Sequence, residues 1–207
     1  MEGLKADTVE FFNKSLEEKM LYKLDNDGTL QGYGQAFVFS EEQKLDWSDM
    51  FYVVTLPIAL RNMKYWPTSP STFRDNTDRY SLELTKVASG FTILLHVNDV
   101  QGLEIKKDGE WIAVSPLPNS LVVTLGETTE ILSNGIYKSS EHRGMVNTEN
   151  ARISIAAFHN PNNSIMLGPL PELIRDGKPN YGSTSYPEFM KAYFDRKWME
   201  LKESRSP

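Results

Sequence analysis

The spacing of apolar residues changes abruptly at Ser89-Gly90, and few folds accommodate the change. Upstream, Phe73, Tyr80, Leu84 and Val87 recur at steps of seven, four and three, which puts them on one face of a helix over residues 71–88. Downstream, residues 91–97 form an unbroken apolar run. Short strand-like segments follow at 103–106, 110–114 and 121–125, separated by a Lys107-Asp108-Gly109 turn and a second turn over 116–119. A short polar segment at 127–133 reads as helix, and strands resume at 136–139, 143–146 and 152–159. Six or seven short strands at hairpin spacing cannot hide their apolar faces singly. They must close into a sandwich or barrel.

The residues before this point read as mixed and largely helical. Val9, Phe12, Leu16, Met20 and Leu24 predict a helix over 4–24, with Ser15 and Glu18 shaped as a capping box. Asp25, Asn26, Asp27 and three nearby glycines mark a loop. Asp25 and Asp27 lack the later carboxylates a calcium loop needs. Trp47, Phe51, Tyr52, Val53 and Val54 predict a strand within 45–56, and Pro57, Pro67 and Pro70 an irregular segment after it. A Pro-rich loop over 161–179 precedes a C-terminal helix from about Pro187, with Phe189, Tyr193 and Trp198. The expected division is 1–88, helical and mixed, and 89–207, strand-rich.

Composition narrows the chemistry. With 40% hydrophobic residues among 207, the chain can bury a sizeable core. Its net charge of -6 has the wrong sign for gripping phosphate backbones, so nucleic acid is not an expected partner. The absence of Cys removes disulfides, thiolate nucleophiles and Cys-ligated metals. No stretch is apolar enough to span a bilayer or to serve as a secretory signal near the N-terminus, and a cytoplasmic location is the expectation.

Three histidines are available. His96 and His159 sit within or at the end of apolar strands, where a hydrogen-bonded structural histidine is the ordinary role. His142 lies in the polar run Ser139-Ser140-Glu141-His142-Arg143, where a ligand role is open. Arg152 and Ser154 alternate with Ile153 and Ile155, so each pair shares a face. Either the isoleucines face inward and Arg152 is solvated, or Arg152 is a buried clamp for a small carboxylate. Trp47, Phe51 and Phe158 are candidate pocket-lining residues, with the core as their alternative place.

The segment GFTILLHVNDVQGLEIKKDGEWIAV, continuing to SSEHRGMVNTENARISIAAFHNP, resembles the C-terminal half of plant 2-oxoglutarate- and Fe(II)-dependent dioxygenases of the isopenicillin N synthase-like branch. The earlier segments VEFFNKSLEEKMLYK, GYGQAF and LDWSDMFYVVTLP are similar to the middle of the same enzymes. The resemblance implies a mainly β fold with flanking helices, the double-stranded β-helix or jelly roll. It implies Fe(II) on a His-x-Asp plus distant His triad, 2-oxoglutarate as cosubstrate, and hydroxylation or O-demethylation of a small specialised metabolite. His142 matches the distal iron ligand. Arg152 and Ser154 match the Arg-x-Ser pair that holds the far carboxylate of 2-oxoglutarate.

One part of the pattern is missing. Ungapped alignment on GFTILL puts Thr85, Lys86 and Val87 where His-x-Asp belongs, and no other His-x-Asp occurs in the chain. The Asn-Tyr-Tyr-Pro-Pro segment that precedes the metal motif in the family is absent too. A skipped block explains both losses more economically than separate substitutions. The expectation is an incomplete jelly roll that keeps Arg152 and Ser154, loses two of three iron ligands with no replacement from Glu127 or Glu141, and presents unpaired sheet edges for self-association.

Overall fold

The computed structural model describes residues 1–25, 31–35, 46–84, 90–175 and 177–203. The chain forms two compact units, Met1–Lys86 and Val87–Pro207.

In the first unit, helix α1 (Glu2–Asn13) stops because Lys14 is extended and Ser15 caps a new helix, α2 (Leu16–Met20). Ser15 Oγ accepts from the Glu18 backbone N–H at 3.2 Å, while Glu18 Oε2 accepts from the Ser15 N–H at 3.0 Å. These reciprocal bonds outcompete helix continuation, so the helix expected over 4–24 is split in two. The buried face also differs from expectation: Leu4, Asp7, Thr8 and Phe11 point inward, whereas Leu16 and Met20 are exposed. Phe11 is fully buried, with ring centroids of Phe51 at 4.7 Å, Phe73 at 6.1 Å and Tyr33 at 6.2 Å. Strand β1 (Gly32–Gly34), in a region expected to be loop, pairs antiparallel with β2 (Met50–Tyr52), which is all the described residues show of the strand expected over 45–56. Short 3-10 turns follow at Ile58–Leu60 and Met63–Tyr65. Helix α3 (Phe73–Leu84) returns against α1, where the buried Asp7 carboxylate accepts from Thr72 Oγ1 and Asn76 Nδ2, both at 2.6 Å. Asp25, one half of the weak calcium signal, pairs with Lys64 and accepts from the Tyr65 hydroxyl; Asp27 lies outside the described residues.

The second unit is built on six strands: β3 (Phe91–His96), β4 (Leu103–Lys107), β5 (Glu110–Val114), β6 (Leu121–Leu125), β7 (His142–Gly144) and β8 (Ser154–Phe158). Asp108 and Gly109 both have left-handed φ angles, 52° and 87°, the geometry a two-residue hairpin needs to join β4 to β5 without splaying them. Two antiparallel three-stranded sheets result, in the orders β6-β3-β8 and β5-β4-β7. The chain leaves the first sheet after β3, returns at β6, crosses for β7 and returns for β8. Ile93 and Leu95 of the central β3 are almost fully buried.

Residues 136–139, expected to be a strand, are not one. Helix α4 (Glu127–Leu132) ends in Asn134 and Gly135, both left-handed, and Asn134 is held by Asn180 through two hydrogen bonds of 2.7 and 2.9 Å. That lock turns the chain, leaving Ile136 and Tyr137 exposed. The tail adds a two-stranded ladder of β9 (Met166–Leu167) and β10 (Thr184–Ser185), then helix α5 (Tyr186–Glu203). Ser185 and Glu188 exchange hydrogen bonds at its start. Among the described residues no helix is long and apolar enough to cross a membrane.

Candidate functional site

The β3–β8 ladder brings three polar side chains to one face of a sheet. His96 lies directly opposite Ser154, and directly opposed residues in an antiparallel pair point the same way. Arg152, two residues before Ser154, shares that face by strand alternation. The backbone on both sides of Arg152 is pinned: Asn98 Nδ2 donates to the Ala151 carbonyl at 2.8 Å, and Asn98 Oδ1 accepts from the Ile153 N–H at 3.1 Å. The Val97 N–H donates to the Ile153 carbonyl at 3.0 Å. The Arg152 stem crosses Gly102 so closely that a Cβ there would sit 2.9 Å from Arg152 Cδ and 2.9 Å from the Met145 carbonyl oxygen. Only glycine leaves room for that approach.

Both groups carry buried nitrogens without a partner. Arg152 Nε and Nη2 have no solvent contact and no hydrogen-bond partner among the described residues. His96 is 6% exposed, and neither ring nitrogen has a partner among the described residues. The expectation of a hydrogen-bonded structural histidine at 96 is therefore half met: the ring is buried as the apolar run requires, but the ladder surrounds it with side chains that offer it nothing. Burial lowers the His96 pKa from its ordinary 6.5, and the Arg152 charge lowers it further. Burial also lowers the Arg152 pKa, although a guanidinium stays charged at any working pH. The picture of Arg152 as a solvated surface residue does not describe its buried guanidinium nitrogens.

His142 stands in different surroundings. It opens β7 opposite Ile105, is exposed, and its Nδ1 lies 3.0 Å from the Ser140 carbonyl oxygen. Glu141 is paired with Lys106 at 3.0 Å, and Glu127 holds Arg196 through contacts of 2.7 and 2.9 Å. Both glutamates are engaged in ion pairs. Among the described residues no group of three or more His, Asp or Glu comes together as a metal site would need. Thr85, Lys86 and Val87 lie outside the described residues. Among the described residues the donors do not fit a ferrous triad, whereas the unpaired donors around Arg152 do fit a carboxylate.

The remaining histidine, His159, extends the β3–β8 ladder through its backbone: its N–H donates to the Phe91 carbonyl at 3.0 Å, and its carbonyl accepts from the Gly90 N–H at 2.7 Å. Trp47 is 96% exposed and Phe158 is also exposed, so neither lines a pocket nor fills the core; Phe51 belongs to the aromatic cluster around Phe11. Sequence reasoning passed over Asn98 and Gly102. The available signal was a polar Asn directly after an apolar strand and a Gly two residues past Val100.

Two family models match the chain. The non-haem dioxygenase in morphine synthesis N-terminal model covers residues 1–69, and the 2OG-Fe(II) oxygenase superfamily model covers residues 58–161. This chain belongs to the 2OG-Fe(II) oxygenase superfamily. It is similar to S-norcoclaurine synthase 1 of Coptis japonica, at 38% identity over 92% of this chain and 68% of that protein. It is similar to thebaine 6-O-demethylase of Papaver somniferum, at 34% identity over 86% of this chain and 64% of that protein. The crystal structure of JOX2 in complex with 2OG, Fe and JA superposes with a TM-score of 0.83, at 28% identity, covering 92% of this chain and 74% of that one.

The superfamily fold, a jelly roll with flanking helices, is present here in incomplete form. The alignment with the Coptis protein spans 241 positions, whereas 92% of a 207-residue chain is about 190 residues, so about fifty positions of that relative have no counterpart here. This chain is shorter than the relatives it matches.

Proposed function

We propose that this chain is a 2-oxoglutarate-binding relative of dioxygenases that hydroxylate or O-demethylate small plant specialised metabolites, with the oxidative activity lost or impaired. Arg152 and Ser154 take the far carboxylate of 2-oxoglutarate, and His142 is the one remaining metal position. The observation that carries this reading is the contrast between Arg152, whose Nε and Nη2 are buried without a partner among the described residues, and the exposed imidazole of His142, which meets only the Ser140 carbonyl. Relatives named S-norcoclaurine synthase 1 and thebaine 6-O-demethylase support the substrate class. Fe(II) supplies oxygen activation in this superfamily; one imidazole is too few protein ligands to hold it, so no oxidative step is assigned to the chain.

Anaerobic Fe(II) titration followed by a 2-oxoglutarate-to-succinate assay tests the reading. The expected result is no stoichiometric iron uptake and no succinate above the protein-free blank. Succinate formation that disappears in His142→Ala would overturn it.

A second reading rests on the sheet edges. Among the described residues β8 is hydrogen-bonded only to β3, and β7 only to β4. Phe158, Met145 and Val146 beside these edges are exposed. Unpaired edges flanked by apolar side chains are templates for another strand, which suits a non-catalytic chain that pairs with a second copy or a full-length relative. Sedimentation velocity from sub-micromolar to high micromolar concentration checks this; a monomer across the whole range removes it.

A further inference from the structure

The geometry points to His96 as the second wall of the Arg152 carboxylate site: a carboxylate held by Arg152 also accepts a hydrogen bond from the His96 ring. The inference rests on the reading of Arg152 given above and adds a residue that the reading does not include.

Three observations lead there. His96 is 94% buried by its 6% exposure, and both ring nitrogens lack partners among the described residues. A protein rarely leaves such a group orphaned unless something outside the chain completes it. Arg152 Nε and Nη2 are orphaned in the same way, and the guanidinium charge acts on the imidazole, so the two groups are electrostatic neighbours. Finally, the register places His96 opposite Ser154 with Arg152 on the same face, while Asn98 and Gly102 fix the guanidinium's approach.

The chemistry of the missing partner follows from the donors. Arg offers donors only, and the neutral imidazole offers one N–H and one lone pair. A metal cation is excluded by the adjacent guanidinium charge. A single acceptor atom would satisfy one donor and strand the rest. A planar carboxylate presents two oxygens, each with more than one lone-pair direction, and can take the guanidinium edge and the imidazole N–H together. Ser154 on the same face adds a hydroxyl. The site therefore suits one end of a small dicarboxylate or keto acid, and it needs no metal to form.

The test is dicarboxylate binding to the full chain in the presence of EDTA, by calorimetry with succinate and 2-oxoglutarate. Wild-type protein, His96→Leu, His96→Gln and Arg152→Met are compared. The expected pattern is saturable binding by wild type, weakening by about tenfold or more in His96→Leu, retention within about threefold in His96→Gln, whose amide keeps a donor, and no detectable binding in Arg152→Met. If His96→Leu binds like wild type while Arg152→Met does not, the role of His96 is refuted and the Arg152 reading stands. If wild type binds neither acid, or Arg152→Met binds as well as wild type, the underlying reading falls and this one with it. A measurement on unaltered protein guards against a misfolded variant. The His96 ring nitrogens, followed in a long-range 1H-15N spectrum, should shift as succinate is added; unmoved signals at saturation would refute the contact.

Discussion

Arg152 and His142 lie ten residues apart, just before β8 and at the start of β7, and the structure treats them in opposite ways. Two of the three guanidinium nitrogens, Nε and Nη2, are shut off from water and lack a hydrogen-bond partner among the described residues, while the imidazole stands in solvent beside the carbonyl of Ser140. The difference lies in their neighbours. Arg152 is framed by chain that is present: the His96–Ser154 end of the β3–β8 ladder close by in the chain, Asn98 at its backbone and Gly102 beneath its stem. His142 sits on a three-residue strand with a single described neighbour, β4. A site whose parts come from several strands can, on the function proposed above, lose one corner while another keeps its shape.

The largest effect that would break this comparison is in Arg152→Met. Buried, unpaired donors cost free energy, so a methionine of similar length should raise the stability of the ligand-free protein by about 1–3 kcal/mol while abolishing carboxylate binding. Urea denaturation with and without succinate reads both changes at once. A loss of stability of similar size would mean that the guanidinium already has a partner, and the two corners would not differ as described.

A smaller effect follows from the lowered pKa of His96. Above about pH 7 the ring is neutral in both folded and unfolded chains. As pH falls through the ordinary value of 6.5, the unfolded chain takes up a proton that the folded one refuses, so stability must decline until the lower folded value is reached. The slope is at most about 1.4 kcal/mol per pH unit. His96→Leu should remove it. The Glu130 carboxylate is also held below its ordinary value, chiefly by the Tyr181 hydroxyl at 2.6 Å, but its contribution disappears only below pH 4.5 and leaves the His96 window clear. A stability that stays flat from pH 7 to pH 5.5 in the wild type would show that His96 is not buried in its neutral form.

Much of this was legible in the chain and some was not, for physical reasons. The change of period at Ser89-Gly90 and the Asp108-Gly109 turn foretold the strands of the second unit closely, because hairpins are set by local dihedral preference and alternation. The strand expected at 136–139 failed because Asn180, far along the sequence, locks Asn134. The helix over 4–24 failed at a cap that the sequence did display; read literally, Ser15 and Glu18 announce a new helix rather than a continued one. At the site, alternation could pair Arg152 with Ser154 but could not choose which face was buried. His96 looked structural because its burial was readable and its lack of partners was not: hydrogen bonding across a ladder depends on register, and register is not local.

On the exposed side of the comparison, His142→Ala should change almost nothing. An exposed residue with a single local contact contributes within about 0.5 kcal/mol to stability, and succinate binding without metal should match wild type. Weakened succinate binding in this variant would join the two corners again and contradict their separation.

The smallest expected effect sharpens the distinction between a lost block and lost side chains. Ungapped alignment on GFTILL would set Thr85 and Val87 at the His and Asp positions, so the double variant Thr85→His and Val87→Asp creates a His-x-Asp motif in sequence. Were two substitutions the whole defect, that variant would take up one equivalent of Fe(II) anaerobically, in a manner lost on adding His142→Ala. About fifty aligned positions of the Coptis relative have no counterpart, however, and the Asn-Tyr-Tyr-Pro-Pro segment is among the features absent. Facial ligands work only when strands hold them at fixed distances from one another, because donors on an unconstrained chain must pay their ordering entropy out of the metal bond itself. The double variant should therefore bind iron no better than the wild-type chain, while its metal-free succinate binding through Arg152 stays unchanged. Stoichiometric, His142-dependent uptake would mean that the scaffold of the metal corner survives after all and that only its side chains were lost.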